Sequence, residues 1–171
     1  MDDAETVAAM AALRDLAARV RRLERLELAR GLLHAYAAAV DTRSVEAVTA
    51  LFHERAVLRN PRGTFTGAAQ IAEAFRAAWD LDPSRKRHFV ASPGLSAESD
   101  DVVAAAAHFH FVGRDPARSV IGWGEYHDRI DVSGQRPLFL SKTITVHLST
   151  DLAAGWTSDP EPGNTESPDP A

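Results

Sequence analysis

Tyr36, Asp41, His88, His108, His110, Tyr126 and Lys142 are the side chains through which this chain could bind a polar group or move a proton. They are acids, bases and phenolic hydroxyls, the group types that general acid–base chemistry uses. His108 and His110 stand two apart in an apolar run, so on a strand they point to the same face. The same alternation puts Glu125 and His127 on one face with Trp123, and Tyr126 and Asp128 on the other with Ile130. Lys142 alternates with Leu140 and Ile144, so it either faces a cavity or snorkels at an edge. His88 opens a strand behind the basic run Arg85-Lys86-Arg87.

Each residue also has a plainer reading. Asp is a favoured helix N-cap, and a helix is expected shortly after Asp41. Tyr36 lies five residues before Asp41, about 140° around a helix, so the two share a cavity only if the chain turns near Val40. Tyr36 alone also reads as a core aromatic. The His108-x-His110 pair could ligate a metal ion, with His88 or Glu125 as a third ligand. No carboxylate follows at the short spacing of a compact strand-borne site, so no metal is expected. The chain has no phosphate loop, no G-x-G-x-x-G, no G-x-S-x-G and no H-E-x-x-H. Without cysteine it has no disulfide, thiolate metal site or cysteine nucleophile. Proton transfer is the chemistry left, and no cofactor is expected.

The elements that must position these groups change character along the chain. Residues 4–40 are rich in Ala, Leu, Arg and Glu and lack proline. They predict helices at 4–24 and 26–40, with a break near Gly31. Leu13, Leu16, Val20 and Leu23 alternate spacings of three and four, one helical stripe that either packs on its own domain or meets another subunit. Leu26, Leu33, Ala37 and Val40 extend an apolar face. Short helices are predicted over Val45–Phe52 and Ala68–Trp79, separated by two extended pieces around the turn Pro61-Arg62-Gly63. Four strands follow at His88–Leu95, Val102–Val112, Val120–Val132 and Leu138–Leu148, an antiparallel meander. In the second of these, the row holding Phe109 and Phe111 reads as the buried one. Helices first and strands after them give an α+β class. The end of the chain, Thr157–Ala171, is rich in Pro, Glu, Asp and Ser and reads as a flexible tail.

With 171 residues, 45% hydrophobic and 25% charged, the chain fits one domain with terminal extensions. A net charge of −5 and a pI near 5.8 give no field that would draw nucleic acid or an anionic membrane. No apolar run is long enough to span a bilayer, and the acidic start Met1-Asp2-Asp3 is unlike a signal peptide. The expectation is a cytoplasmic protein.

Leu26-Glu27-Leu28-Ala29-Arg30, followed by Leu33 through Asp41 and by Val45–Phe52, resembles the opening of SnoaL-like proteins. Thr64-Phe65-Thr66-Gly67, Arg87-His88-Phe89-Val90 and Gly124-Glu125-Tyr126-His127-Asp128 continue the resemblance in order, over roughly residues 22–150. The polar pair that commonly follows the His motif is replaced here by Ala91-Ser92-Pro93. The resemblance is to the polyketide cyclase and dehydratase group of the nuclear transport factor 2-like superfamily. It implies a cone-shaped curved mixed sheet wrapped by N-terminal helices, a cystatin-like fold, over 26–152, with a helical extension at 1–25 and a tail at 153–171. It also implies a catalytic trio of Tyr36, Asp41 and His88, with Lys142 as the basic residue of the last strand. His108, His110 and Tyr126 are then further substrate-binding candidates. The implied activity is a cofactor-free dehydratase, cyclase or isomerase acting on a hydrophobic polyketide-like or polycyclic molecule, commonly as a homodimer and sometimes as a trimer. A non-catalytic partner subunit like the small subunit of ring-hydroxylating dioxygenases, or an epoxide-opening hydrolase or cyclase, is the alternative.

Overall fold

The computed structural model describes residues 3–153, so the expected tail lies outside the described residues, apart from its first position, Ala153. The chain begins with one 40-residue helix, α1 (Asp3–Thr42). The break expected near Gly31 is absent. Glycine costs only about 1 kcal/mol in a helix interior, and Gly31 faces open space. Ala29, Leu32 and Leu33 beside it are buried and tie both flanks to the domain. The short helix α2 (Val45–Thr49) follows, ending three residues earlier than predicted because Phe52 already opens a strand. Then come β1 (Phe52–Asn60), β2 (Gly63–Thr66), α3 (Gly67–Leu81), β3 (Arg85–Ala97), β4 (Val102–Arg114), β5 (Ser119–Asp131) and β6 (Leu138–Asp151).

The six strands form one sheet in the order β2-β1-β6-β5-β4-β3. The last four are the expected antiparallel meander; β1 runs parallel to β6 and carries the short β2 antiparallel at the edge. Register shifts at Ala91/Gly94 in β3, and in β6 opposite Trp123/Gly124 and Arg129/Ile130, where His147 and Leu140 are the extra residues, bend the sheet. One face is the core face: Ala105, Ala107, Phe109 and Phe111 of β4 and Tyr126 and Ile130 of β5 are buried there. Gly122 and Gly124 face Phe111 and Phe109 across the strand pair. A Cβ on Gly124 would come within 2.8 Å of the Phe109 ring, and one on Gly122 within 2.4 Å of Phe111. The two glycines are the notch into which the rings fold.

The helices bury this face only in part. The C-terminal half of α1 contributes Ala29, Leu32, Leu33 and Tyr36, and α3 contributes Ile71, Ala74 and Phe75. The N-terminal stripe Leu13, Leu16, Val20 and Leu23 does not pack on its own domain, since each of the four is exposed. The domain's hold on α1 starts near Arg25, whose guanidinium reaches Asp100 at 3.2 Å in the β3–β4 turn.

At the centre of the core lies a charge. The Lys142 ammonium has no solvent exposure and donates to Asp128 Oδ2 at 2.8 Å. It sits 3.8 Å from the Tyr126 ring centroid, 4.2 Å from that of Tyr36 and 4.5 Å from that of Phe139, where each ring face attracts a cation. Burial pushes the Lys142 pKa down and that of Asp128 up, and their mutual contact opposes both shifts. Asp128 Oδ1 is buried with no hydrogen-bond partner. Breaking such a pair is far costlier than replacing it whole. Lys142→Met should therefore lose about 3–5 kcal/mol in urea unfolding, and the double variant D128L/K142M should recover most of that loss. Equal stability of the single variant and the wild type would contradict this account.

Candidate active site

Between the two helices and the core face of the sheet lies a cavity of about 500 Å³. Its walls are largely apolar, with Leu58, Phe75, Trp79, Phe109, Phe111 and Ile144 among the lining side chains. Tyr36, Asp41, His88 and Tyr126 face the same space.

Asp41 occupies the last turn of α1, and His88 the core face of β3 opposite Phe111. Asp41 Oδ1 lies 2.7 Å from His88 Nδ1. The same carboxylate accepts the His88 backbone N–H at 3.2 and 3.1 Å. Asp41 is therefore no helix cap: Ser44 fills that role for α2, accepting from the Ala47 N–H at 3.1 Å. With Nδ1 held as a donor to a carboxylate, Nε2 is the ring nitrogen left to take a proton. Both side chains are 13% exposed, partly dry but reachable. Burial pushes the His88 pKa below its ordinary value; Asp41 works against this by favouring the charged ring, and Lys86 adds to the lowering. The ring is thereby kept neutral, and ready to act as a base, at neutral pH.

Tyr36 is both a core aromatic and a cavity residue. It meets Phe52, Phe75, Tyr126 and Phe139 edge-on with centroids 5.7 to 6.4 Å apart. It reaches the same cavity as Asp41 although the two differ by about 140° on the helix, because the cavity wraps the helix end. Burial raises the pKa of Tyr36 well above the usual phenol range, and that of Tyr126 likewise. Both remain protonated hydroxyls that can donate a hydrogen bond.

His108 and His110 are not brought to this cavity. They belong to the opposite face of β4 from Phe109 and Phe111, and they are exposed. His110 stacks on Phe89 there, with centroids 4.6 Å apart. His108, His127 and His147 gather around Glu125, at 3.6, 3.4 and 3.4 Å. His88, on the core face, cannot join His108 and His110 around one ion, and among the described residues no three His, Cys, Asp or Glu side chains are placed to hold a metal. Lys142 is also displaced from its expected role, since it lies behind the Tyr36 and Tyr126 rings rather than at the cavity wall.

Two features of the cavity rim are new. Arg43 follows α1 with φ at +57°, a left-handed conformation uncommon outside glycine. Its guanidinium donates to the carbonyls of Asp82 and Ser84 at 3.2 Å and to that of Trp79. This clamp joins the end of α1, which carries Asp41, to the end of α3. Beside it, Asp82 accepts from Lys86 at 2.5 Å and from the Ser84 hydroxyl at 2.6 Å. Burial alone would raise the Asp82 pKa, but these donors outweigh it and hold it at about 2. Lys86 and His88 are two apart in one strand, a same-face signal already present in the sequence.

A SnoaL-like domain is recognised across residues 21–134. The chain belongs to the SnoaL-like family. Among solved structures, hexachlorocyclohexane dehydrochlorinase LinA-type3 from Novosphingobium barchaimii LL02 superposes with a TM-score of 0.71 at 16% identity, covering 83% of this chain and 99% of that one. A candidate scytalone dehydratase from Novosphingobium aromaticivorans DSM 12444 gives a TM-score of 0.70 at 16% identity, covering 78% and 91%. The β subunit of a candidate aromatic-ring-hydroxylating dioxygenase from the same organism gives 0.60 at 19%, covering 71% and 88%. At these identities the likeness is one of fold. No curated protein matches by sequence. The α+β class with a curved mixed sheet agrees with the sequence expectation, while the single long N-terminal helix replaces the two helices expected there.

Asp41→Asn removes the carboxylate that favours the charged ring, so the His88 pKa should fall further below its depressed value. An NMR titration of the His88 ring in wild type and D41N reads this directly; an unchanged or raised value is the contrary result. The stability effect has a definite sign. Between the two pKa values the unfolded chain holds more protons on His88 than the folded one. The His88 contribution is full above about pH 6.5 and is lost as pH falls through the folded value. His88→Gln should remove this part of the acid dependence of the urea midpoint.

Proposed function

We propose that this SnoaL-like protein is a cofactor-free lyase or isomerase that acts by acid–base catalysis on a hydrophobic small molecule. The observation that carries the reading is the Asp41–His88 contact of 2.7 Å, set at the wall of an apolar cavity of about 500 Å³. Cavities of this size with few convergent polar groups suit a mostly apolar ligand. A polycyclic or polyketide-like ketone or alcohol is the proposed substrate class.

In this mechanism Asp41 fixes the ring of His88 and stabilises its protonated form. His88 Nε2 takes the proton from a carbon next to a carbonyl, and the C–H electron pair passes into an enolate. The Tyr36 and Tyr126 hydroxyls donate to the oxyanion that forms, and such donors stabilise developing charge most in a dry site. In a dehydration the enolate electrons form the new C=C bond and expel a β-hydroxyl. The imidazolium returns its proton to that group, which leaves as water. In an isomerisation the same proton returns to a different carbon. His108 and His110 take no part, and Lys142 acts only through the tyrosine rings.

A second reading is a non-catalytic partner subunit, supported by the exposed N-terminal half of α1 and by the fold likeness to a dioxygenase β subunit. One experiment separates the two. Cyclic ketones of one to four fused rings are incubated with the protein in deuterium oxide, and exchange next to the carbonyl is followed by mass spectrometry. Wild type should catalyse exchange, with D41N and H88A reduced about 10²-fold or more and still folded by circular dichroism. Exchange should rise with pH through the depressed His88 pKa and level off above it. Wild-type rates in both variants would remove the dyad from the mechanism.

A further inference from the structure

The N-terminal half of α1 carries an apolar stripe that the domain does not use. Leu13, Leu16, Val20 and Leu23 are between 44% and 66% exposed. Val20 is nine residues from Ala29, and Leu23 is nine from Leu32. Nine residues are about two and a half turns, so the stripe lies on the far side of the helix from those buried residues. Among the described residues nothing covers it. A helix that projects this far without tertiary contacts is marginal in water unless an apolar face is buried.

We propose that this stripe is the seam of a parallel, in-register two-stranded coiled coil formed with a second copy of the chain. The spacing assigns Leu13 and Val20 to heptad position a, and Leu16 and Leu23 to d. A β-branched residue at a with leucines at d favours two strands. The flanking residues specify the partner and the direction. Arg19 falls at g and Glu24 at e. In a parallel pair, the g residue of one helix meets the e residue of the following heptad on the other. Arg19 of each copy therefore faces Glu24 of its mate, giving two opposite-charge contacts by symmetry. In an antiparallel pair g faces g and e faces e, and this complementarity is lost. Within its own helix Arg19 only approaches Asp15 at 4.0 Å, with both side chains about three-quarters exposed, 75% and 73%. Ala12 and Ala17 fill the remaining g and e positions and leave room for close approach.

The seam ends where the domain begins. The next a and d positions are Glu27 and Arg30, which pair with each other at 3.2 Å. Because the stripe points away from the buried side of α1, the two domains lie on the outside of the paired helices and do not collide.

The chain has no cysteine, so a single introduced thiol reports its own neighbour. Under mild oxidation L16C and L23C should each form a covalent dimer, whereas R14C, on the outer side of the seam, should not. An antiparallel pair would cross-link at no more than one of the two seam positions. In analytical ultracentrifugation the wild type should sediment as a dimer and L16E/V20E as a folded monomer. R19E and E24R should each weaken the dimer about tenfold or more, and R19E/E24R should restore it. Residues 19 and 24 point in different directions on one helix, so restoration must act between copies. A monomeric wild type at high micromolar concentration, a dimer that survives L16E/V20E, or a charge swap that fails to restore affinity would each overturn the proposal.

Discussion

A lysine ammonium sealed from water fixes much of this molecule. Lys142 on β6 cannot be left alone in the core, because an unpaired buried charge costs several kcal/mol or more. Asp128 on β5 and the faces of Tyr36, Tyr126 and Phe139 surround it. Those partners come from α1 and two neighbouring strands. Satisfying the one charge therefore sets how the helix lies on the sheet. It also sets where two tyrosines stand, and both of them line the cavity.

From that anchor, the cavity follows by geometry. Tyr36 pins the C-terminal half of α1, and one more turn carries Asp41 to the start of β3. There the carboxylate meets both the backbone N–H and the ring of His88. Arg43, in its left-handed conformation, ties the end of α1 to the end of α3 and closes the rim. Gly122 and Gly124 let Phe109 and Phe111 fold down against the sheet. The result is an apolar space in which one imidazole is neutral and oriented, and two phenols are held protonated. The three properties have one common origin, the removal of water from around groups that still find partners.

The opposite face of the sheet obeys other rules. Its histidines meet Glu125 and aromatic rings in the open, so their charges are screened by solvent and their ring contacts are local. Alternation along β4 and β5 assigns residues to faces without error, but it does not say which polar set faces the cavity. The Phe109/Phe111 row is buried, as expected, and the Tyr126/Asp128/Ile130 row, which alternation left open, falls on the same side. His108 and His110 fell on the other, away from the cavity. What decided this was which row the helices came to cover.

The sequence by itself determined the order of helices and strands, the period-two faces, the antiparallel meander and the family, because these depend on local periodicity and on motifs read along the chain. It also marked Tyr36, Asp41 and His88, through a resemblance rather than through spacing. Three things needed the tertiary structure. The continuity of α1 through Gly31 depended on burial on both sides of that residue. The choice between capping α2 and pairing with His88 for Asp41 depended on a partner 47 positions away in the chain. The fate of Lys142 depended on β6 lying inside the sheet rather than at its edge. Each is a contact between distant segments, and local sequence carries no record of which distant groups will supply a buried side chain with its partner.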